Sequence, residues 1–337
     1  MSKNPLLELS LSKAGDTSKF PSDDGALQPE AVAPPSQEVE QPQPLPPQQG
    51  TRLALLGALG LVGLYLLAAY LPDTEFYILL STLLALPLTL LFAIGLVSAL
   101  SSPKALLLNT VLSFALFLPR PLLGVLQTVL PLPKWVFMVT LPYFLLSHFI
   151  PGADTLLLIW CACCIGHWLS RLVRERKMLL PISVALALVD IFTVFGGGVV
   201  TQATHAPKGQ AVLQKAAMAT LTAKLPTSAR GAAPMQLAVG FADFLFVAFF
   251  FACFQRLGMS LRAYRATIIA LLVVLTGYLA FVFLFSTDLP ALVPIAVVVI
   301  AVNWRAFRYS RSERFALLYA GLALVVFLGL AIYFLHK

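Results

Sequence analysis

Charge is what this sequence has least of. Asp, Glu, Lys and Arg make up 11% of its 337 residues, against about 25% in a soluble domain. With 59% hydrophobic residues, that shortage excludes an ordinary water-soluble globule. Cysteine and histidine are scarce too, at four residues each. Cys161, Cys163, Cys164 and Cys253 all fall inside apolar runs, so no disulfide framework is implied. Cys161, Cys164 and His167 share a helical face, yet no carboxylate or second histidine lies close in sequence. Small residues for close helix packing explain them better, and no metal or cofactor is expected. Nucleotide-binding glycine loops, zinc motifs and serine-triad signatures are absent as well.

What the chain has instead is apolar blocks of bilayer-spanning length. They point to an all-α, polytopic transmembrane bundle of nine or ten spans. The spans are expected near 53–71, 76–100, 105–131, 135–150, 154–170, 178–196, 236–254, 264–286, 289–307 and 314–335. The third contains Pro119, Arg120 and Pro121. It reads as one kinked helix, because its first half alone is too short to cross about 30 Å.

Before the spans, residues 1–52 form a Pro- and Gln-rich tail. It holds too little apolar surface to fold, and it lacks the basic start and apolar core of a signal peptide. The chain then divides into amino-terminal spans (53–177), a core with a long loop (178–307, loop 197–235) and one further carboxy-terminal span (308–337). Trp135, Trp160, Trp168 and Trp304 fall near span ends, as interfacial aromatics do.

The net charge of +8 is uneven, with the tail at −3. The excess lies in short loops, which is a topology signal rather than a nucleic-acid surface. Arg171, Arg174, Arg176 and Lys177 follow the fifth span, Arg256 and Arg262 the seventh, and Arg305, Arg308 and Arg311 the ninth. Those loops are expected in the cytoplasm, and 197–235 outside. The protein is thus expected to be a multi-pass membrane protein, in the inner membrane if prokaryotic. Its partners would be the bilayer and membrane-spanning peptides, not nucleic acid.

Two acids interrupt the apolar core, Asp190 in "ALALVDIFTVFGGG" and Asp243 in "LAVGFADFLFVAFFFACF". Each costs about 2.5–3.5 kcal/mol to insert. They flank one loop, so both lie near the same membrane face. At 1.5 Å per residue both are expected roughly 9–11 Å below it. Two carboxyls in a dry site share a proton and titrate as a unit. That is the chemistry of aspartic peptide hydrolysis. Gly240 and Ala242 are small enough to let another backbone approach. Pro290 and Pro294 should disrupt the start of the ninth span and leave backbone groups open. Asp288 reads as a helix cap or interfacial charge. Residues 212–225 could form an interfacial amphipathic helix, and the loop after Asp190 could recruit a substrate by strand pairing.

These stretches resemble the presenilin and signal peptide peptidase family of intramembrane aspartyl proteases. That family has Tyr-Asp on its sixth span, Gly-x-Gly-Asp on its seventh and Pro-Ala-Leu at its ninth. Here the matching positions read Val189-Asp190, Gly240-Phe241-Ala242-Asp243 and Pro290-Ala291-Leu292. "DIFTVFGGGVV" and "HAPK" (His205 to Lys208) look most like the signal peptide peptidase branch. The resemblance implies a presenilin-like bundle that cuts membrane-spanning segments, with signal peptides or type II membrane proteins as substrates. It makes Asp190 and Asp243 catalytic, and Gly240, Ala242, Pro290, Ala291 and Leu292 substrate-binding. Two departures stand out: Val189 replaces Tyr, and Ala242 adds a methyl where the family has glycine. Two other readings fit the acid pair: a proton- or cation-coupled transporter, and an inactive relative that binds membrane helices.

Overall fold

The computed structural model describes residues 47–68, 70–71, 75–117, 141–195, 222–224, 238–285, 290–307 and 309–335. These residues form ten α-helices and one short ribbon. The helices are α1 (Pro47–Ala68), α2 (Glu75–Ala99), α3 (Pro103–Phe117), α4 (Leu141–Phe149) and α5 (Ala153–Ser170). Then come α6 (Leu179–Phe195), strands β1 (Thr222–Lys224) and β2 (Ala238–Gly240), and α7 (Phe241–Arg256). The last three are α8 (Leu261–Phe285), α9 (Leu292–Asn303) and α10 (Arg311–Leu335). The expected helical bundle is present. Five of its segments are long and apolar enough to cross a membrane: Gln48–Ala68, Leu79–Ala99, Ala153–Ser170, Leu261–Val282 and Arg311–Leu330.

Small residues decide how closely the helices pack, since apolar lipid gives apolar helices little reason to associate otherwise. The α1–α2 pair shows it: a Cβ built on Gly95 would lie 2.3 Å from the Ala54 amide nitrogen. The centre of the bundle is α5 against α7. A Cβ on Gly166 would lie 2.4 Å from the Leu245 carbonyl oxygen, so only glycine admits α7 there. From α7, Phe249, Phe250, Phe251 and Phe254 fill the buried side. All four cysteines are buried free thiols, and no metal-binding cluster occurs among the described residues.

The contacts of α5 with α7 also fix their register. The Cys253 thiol lies 3.9 Å from the Ser170 carbonyl oxygen, and Arg256 donates to the Val173 carbonyl. Both pairs are 83 residues apart, so the helices run in the same direction with a constant offset.

Several expectations need correction. The span at 236–254 begins as a helix only at Phe241, because Ala238–Gly240 pair antiparallel with Thr222–Lys224. Those pairings also make 222–224 strand rather than amphipathic helix. Trp160 lies mid-helix in α5, packed on the core rather than at a span end. Trp168 is near the end of α5, with the Arg171 guanidinium 4.2 Å from its ring centroid. The tail to residue 46, Pro119 to Pro121, Trp135, Gly196 to Gly198, His205 to Lys208 and Asp288 lie outside the described residues.

Crowding at Gly166 makes a stability prediction. Gly166→Val is expected to separate α5 from α7 at a cost of about 1–3 kcal/mol. Thermal unfolding in detergent should show a clearly lowered midpoint. An unchanged midpoint would mean the close approach contributes nothing.

Candidate active site

Asp190 lies on α6, one and a half turns before its last residue, Phe195. Its Oδ2 accepts a hydrogen bond from the backbone N–H of Leu292 at 2.7 Å. Leu292 is the first residue of α9, and the cap position before it is Ala291, whose side chain makes no capping bond. The four leading N–H groups of a helix need outside acceptors. A carboxylate from another helix supplies one here, where Ser or Asp at the cap normally would. Pro290, immediately before, is buried. Pro294 is the third residue of α9, where a missing N–H breaks no intrahelical bond. The start of α9 is therefore better satisfied than the two prolines suggest: Leu292's N–H is held by Asp190 rather than left open.

Asp243 is the third residue of α7. Its Oδ2 accepts the N–H of Gly240, the residue capping that helix, at 3.0 Å. This is the side-chain half of a capping box. Gly240 has an ordinary extended conformation, with φ −68° and ψ 152°. A Cβ there would sit 3.4 Å from Asp243 Oδ2, at contact with the carboxylate.

Each acid thus sits at the amino terminus of a helix, Asp243 on its own and Asp190 on a neighbour's. Helix amino termini bind anions through their exposed N–H groups and dipole. Asp190 and Asp243 are both partly buried residues. They lie close enough for the charge on Asp190 to act on Asp243. The helices bearing them are not broad packing partners. Instead α9 packs on α6 and also touches α7, linking the two helices that carry the acids.

Depth follows from the α5–α7 register. The constant offset of 83 residues sets Asp243 level with Trp160, seven residues along α5 from Ala153. At 1.5 Å per residue that is about 10 Å below the start of α5. So α7 begins well below the end of its neighbour. It has 16 residues and α9 has 12, both shorter than a full crossing. The level that a helix from residue 236 would occupy is taken by the ribbon, whose strand β1 packs on α5.

The remaining positions divide clearly. Ala242 and Val189 are both exposed on the chain, Val189 to 40%. The Ala242 methyl is therefore exposed rather than packed against backbone within the protein. Sequence reasoning missed the ribbon and the bond between Asp190 and Leu292. The spacing of Gly240 and Asp243, cap and third residue, was a readable capping signal.

No family model, curated protein or solved structure matches the chain.

Removing the carboxylate tests the capping role by itself. Asp190→Ala strips the Leu292 N–H of its acceptor and should cost about 1–3 kcal/mol. Asp190→Asn keeps an acceptor oxygen and should stay near wild type. Equal melting temperatures for the two variants would show that the bond does not hold α9 in place.

Proposed function

We propose that this chain is an intramembrane aspartyl protease of the presenilin and signal peptide peptidase type. It would hydrolyse peptide bonds in membrane-spanning segments with Asp190 and Asp243. The observation that carries this reading is the bond from Leu292 N–H to Asp190, with Asp243 in electrostatic reach. The bond joins residues of two of the three resembling motifs, and the third lies on a helix that α9 touches.

The chemistry needs no metal and no covalent intermediate. One proton is shared by the pair. The ionised carboxyl removes a proton from water, and the protonated one donates its proton to the scissile carbonyl oxygen. Water oxygen bonds to the carbonyl carbon, giving a neutral tetrahedral diol. The diol then returns a proton to one carboxylate while the leaving nitrogen takes one from the other carboxyl. The C–N bond breaks, and the products are a carboxylic acid and an amine.

A helical substrate hides its peptide bonds in its own hydrogen bonds, so it must unwind first. The β1–β2 ribbon leads directly into α7 and ends three residues before Asp243. It offers an extended backbone on which an unwound segment can pair. Short and interrupted helices around an intramembrane site also suit a transporter. The ribbon and the Pro290–Leu292 turn have no evident part in proton relay, so the protease reading is preferred.

The test is cleavage of a tagged membrane-helix substrate by the purified full chain. Asp190→Asn and Asp243→Asn should each abolish cleavage while melting as the wild type does. Cleavage retained in both variants removes the pair from the reaction. The wild-type rate should fall on both acid and alkaline sides, since catalysis requires one proton on the pair. Proton flux into liposomes without proteolysis, lost in the same variants, would favour the transporter.

A further inference from the structure

At the opposite end of α6 from Asp190 lies a cavity of about 450 Å³. Leu180, Trp304, Phe307, Tyr309, Arg314 and Leu317 line it. Its walls are the first turn of α6, the turn after α9 and the first two turns of α10. The lining is apolar and aromatic except for one guanidinium and one phenol.

The segments beside this cavity are clasped together. Lys177 bonds Glu313 and also pairs with Glu175 at 3.2 Å. Tyr309 donates its hydroxyl to the Lys177 carbonyl. The Lys177 ammonium is held above the ordinary lysine value, first by Glu313 and then by Glu175. Glu313 is thereby occupied by a cation other than Arg314. Among the described residues no carboxylate bonds Arg314, which is exposed, as are Arg305 and Arg311 in the same segment.

Beyond its first turns α10 packs little. None of the span from Arg311 to Leu330 is buried within the protein. Past Leu317, the last residue of α10 to line the cavity, the helix presents an uncovered apolar surface.

We propose that this cavity is a binding site for an anionic phospholipid. The phosphate pairs with Arg314, and the upper acyl chain lies among Trp304, Phe307, Leu180 and Leu317 and runs on along α10. Charge complementarity selects the occupant. The segment from Trp304 to Arg314 carries four arginines and one acid, and that acid is neutralised by Lys177. Basic pockets between spans at the cytoplasmic face suit such headgroups. Trp and Tyr belong at that level. The site does not depend on the protease reading, because it lies at the far end of α6 from the acids.

Trp304 reports on the cavity directly. The full chain is reconstituted in phosphatidylcholine vesicles that contain brominated phosphatidylglycerol or brominated phosphatidylcholine at equal mole fraction. The quenching of Trp304 is the difference between wild type and Trp304→Phe. Phosphatidylglycerol should be preferred by about fivefold, the worth of one arginine near the membrane surface. Arg314→Gln should abolish the preference and leave quenching by the zwitterionic lipid unchanged. Arg262→Gln, an exposed arginine outside the cavity, should keep it. Equal quenching by the two lipids in wild type overturns the proposal. So does a preference that survives Arg314→Gln, or one that Arg262→Gln reduces as much. A preference removed by inorganic phosphate would assign the site to a free anion and also overturn it.

Discussion

A helix that begins below the membrane surface must find an acceptor for its first N–H groups inside the protein. Water is not there to serve, and lipid cannot. In this chain Asp190 serves the helix α9. Its carboxylate oxygen stands 2.7 Å from Leu292 N, at the point where Ala291 offers no side-chain cap. The position of α9 is tied to that of α6 by this bond. A helix of 12 residues is about 18 Å long, so its unsupported start has to be met somewhere in the bundle's interior.

The same constraint is met differently at α7. There Asp243 caps its own helix through Gly240, and the chain before it leaves as strand rather than helix. Backbone groups that a helix would satisfy internally are paired across β1 and β2. One carboxylate capping a buried helix start is an ordinary structural device. Two of them, within electrostatic reach and at the starts of two shortened helices, are costly in lipid if they only cap. A neutral cap such as Ser or Asn would do the same work at less expense. That comparison favours a chemical role for the pair, beyond its part in the architecture.

The order of the helices was legible because long apolar blocks separated by basic loops leave few alternatives. Asp190, Asp243 and the Pro290–Leu292 turn stood out for a related reason: a polar group or a proline inside lipid demands an explanation. The start of α7 was not legible. "LAVG" is as apolar as the helix that follows, and its partner strand is a distant segment with no alternating pattern. Strand formation there is a tertiary outcome that local preference does not encode. The two prolines misled for a different reason. Pro294 falls in the first turn of α9, where no bond is broken, and the open N–H at Leu292 is taken by a residue 102 positions away. Trp160 went into the core because interfacial preference applies to helix ends, and α5 carries it at mid-length.

The two departures from the family pattern take on a specific meaning from their positions. Val189 precedes one acid and Ala242 the other, and both are exposed on the chain. Had either been buried, its altered side chain would have acted through packing, as a bulkier residue at Gly166 would. Exposed beside the acids, they meet only what comes to them from outside, either lipid or a substrate. Under the proposed function the missing tyrosine hydroxyl and the added methyl would therefore bear on the ligand side of the site, leaving the helices that carry the carboxyls undisturbed. In the proposed protease such a change would alter which segments approach the pair, whereas loss of either carboxyl would alter what the pair does once they arrive.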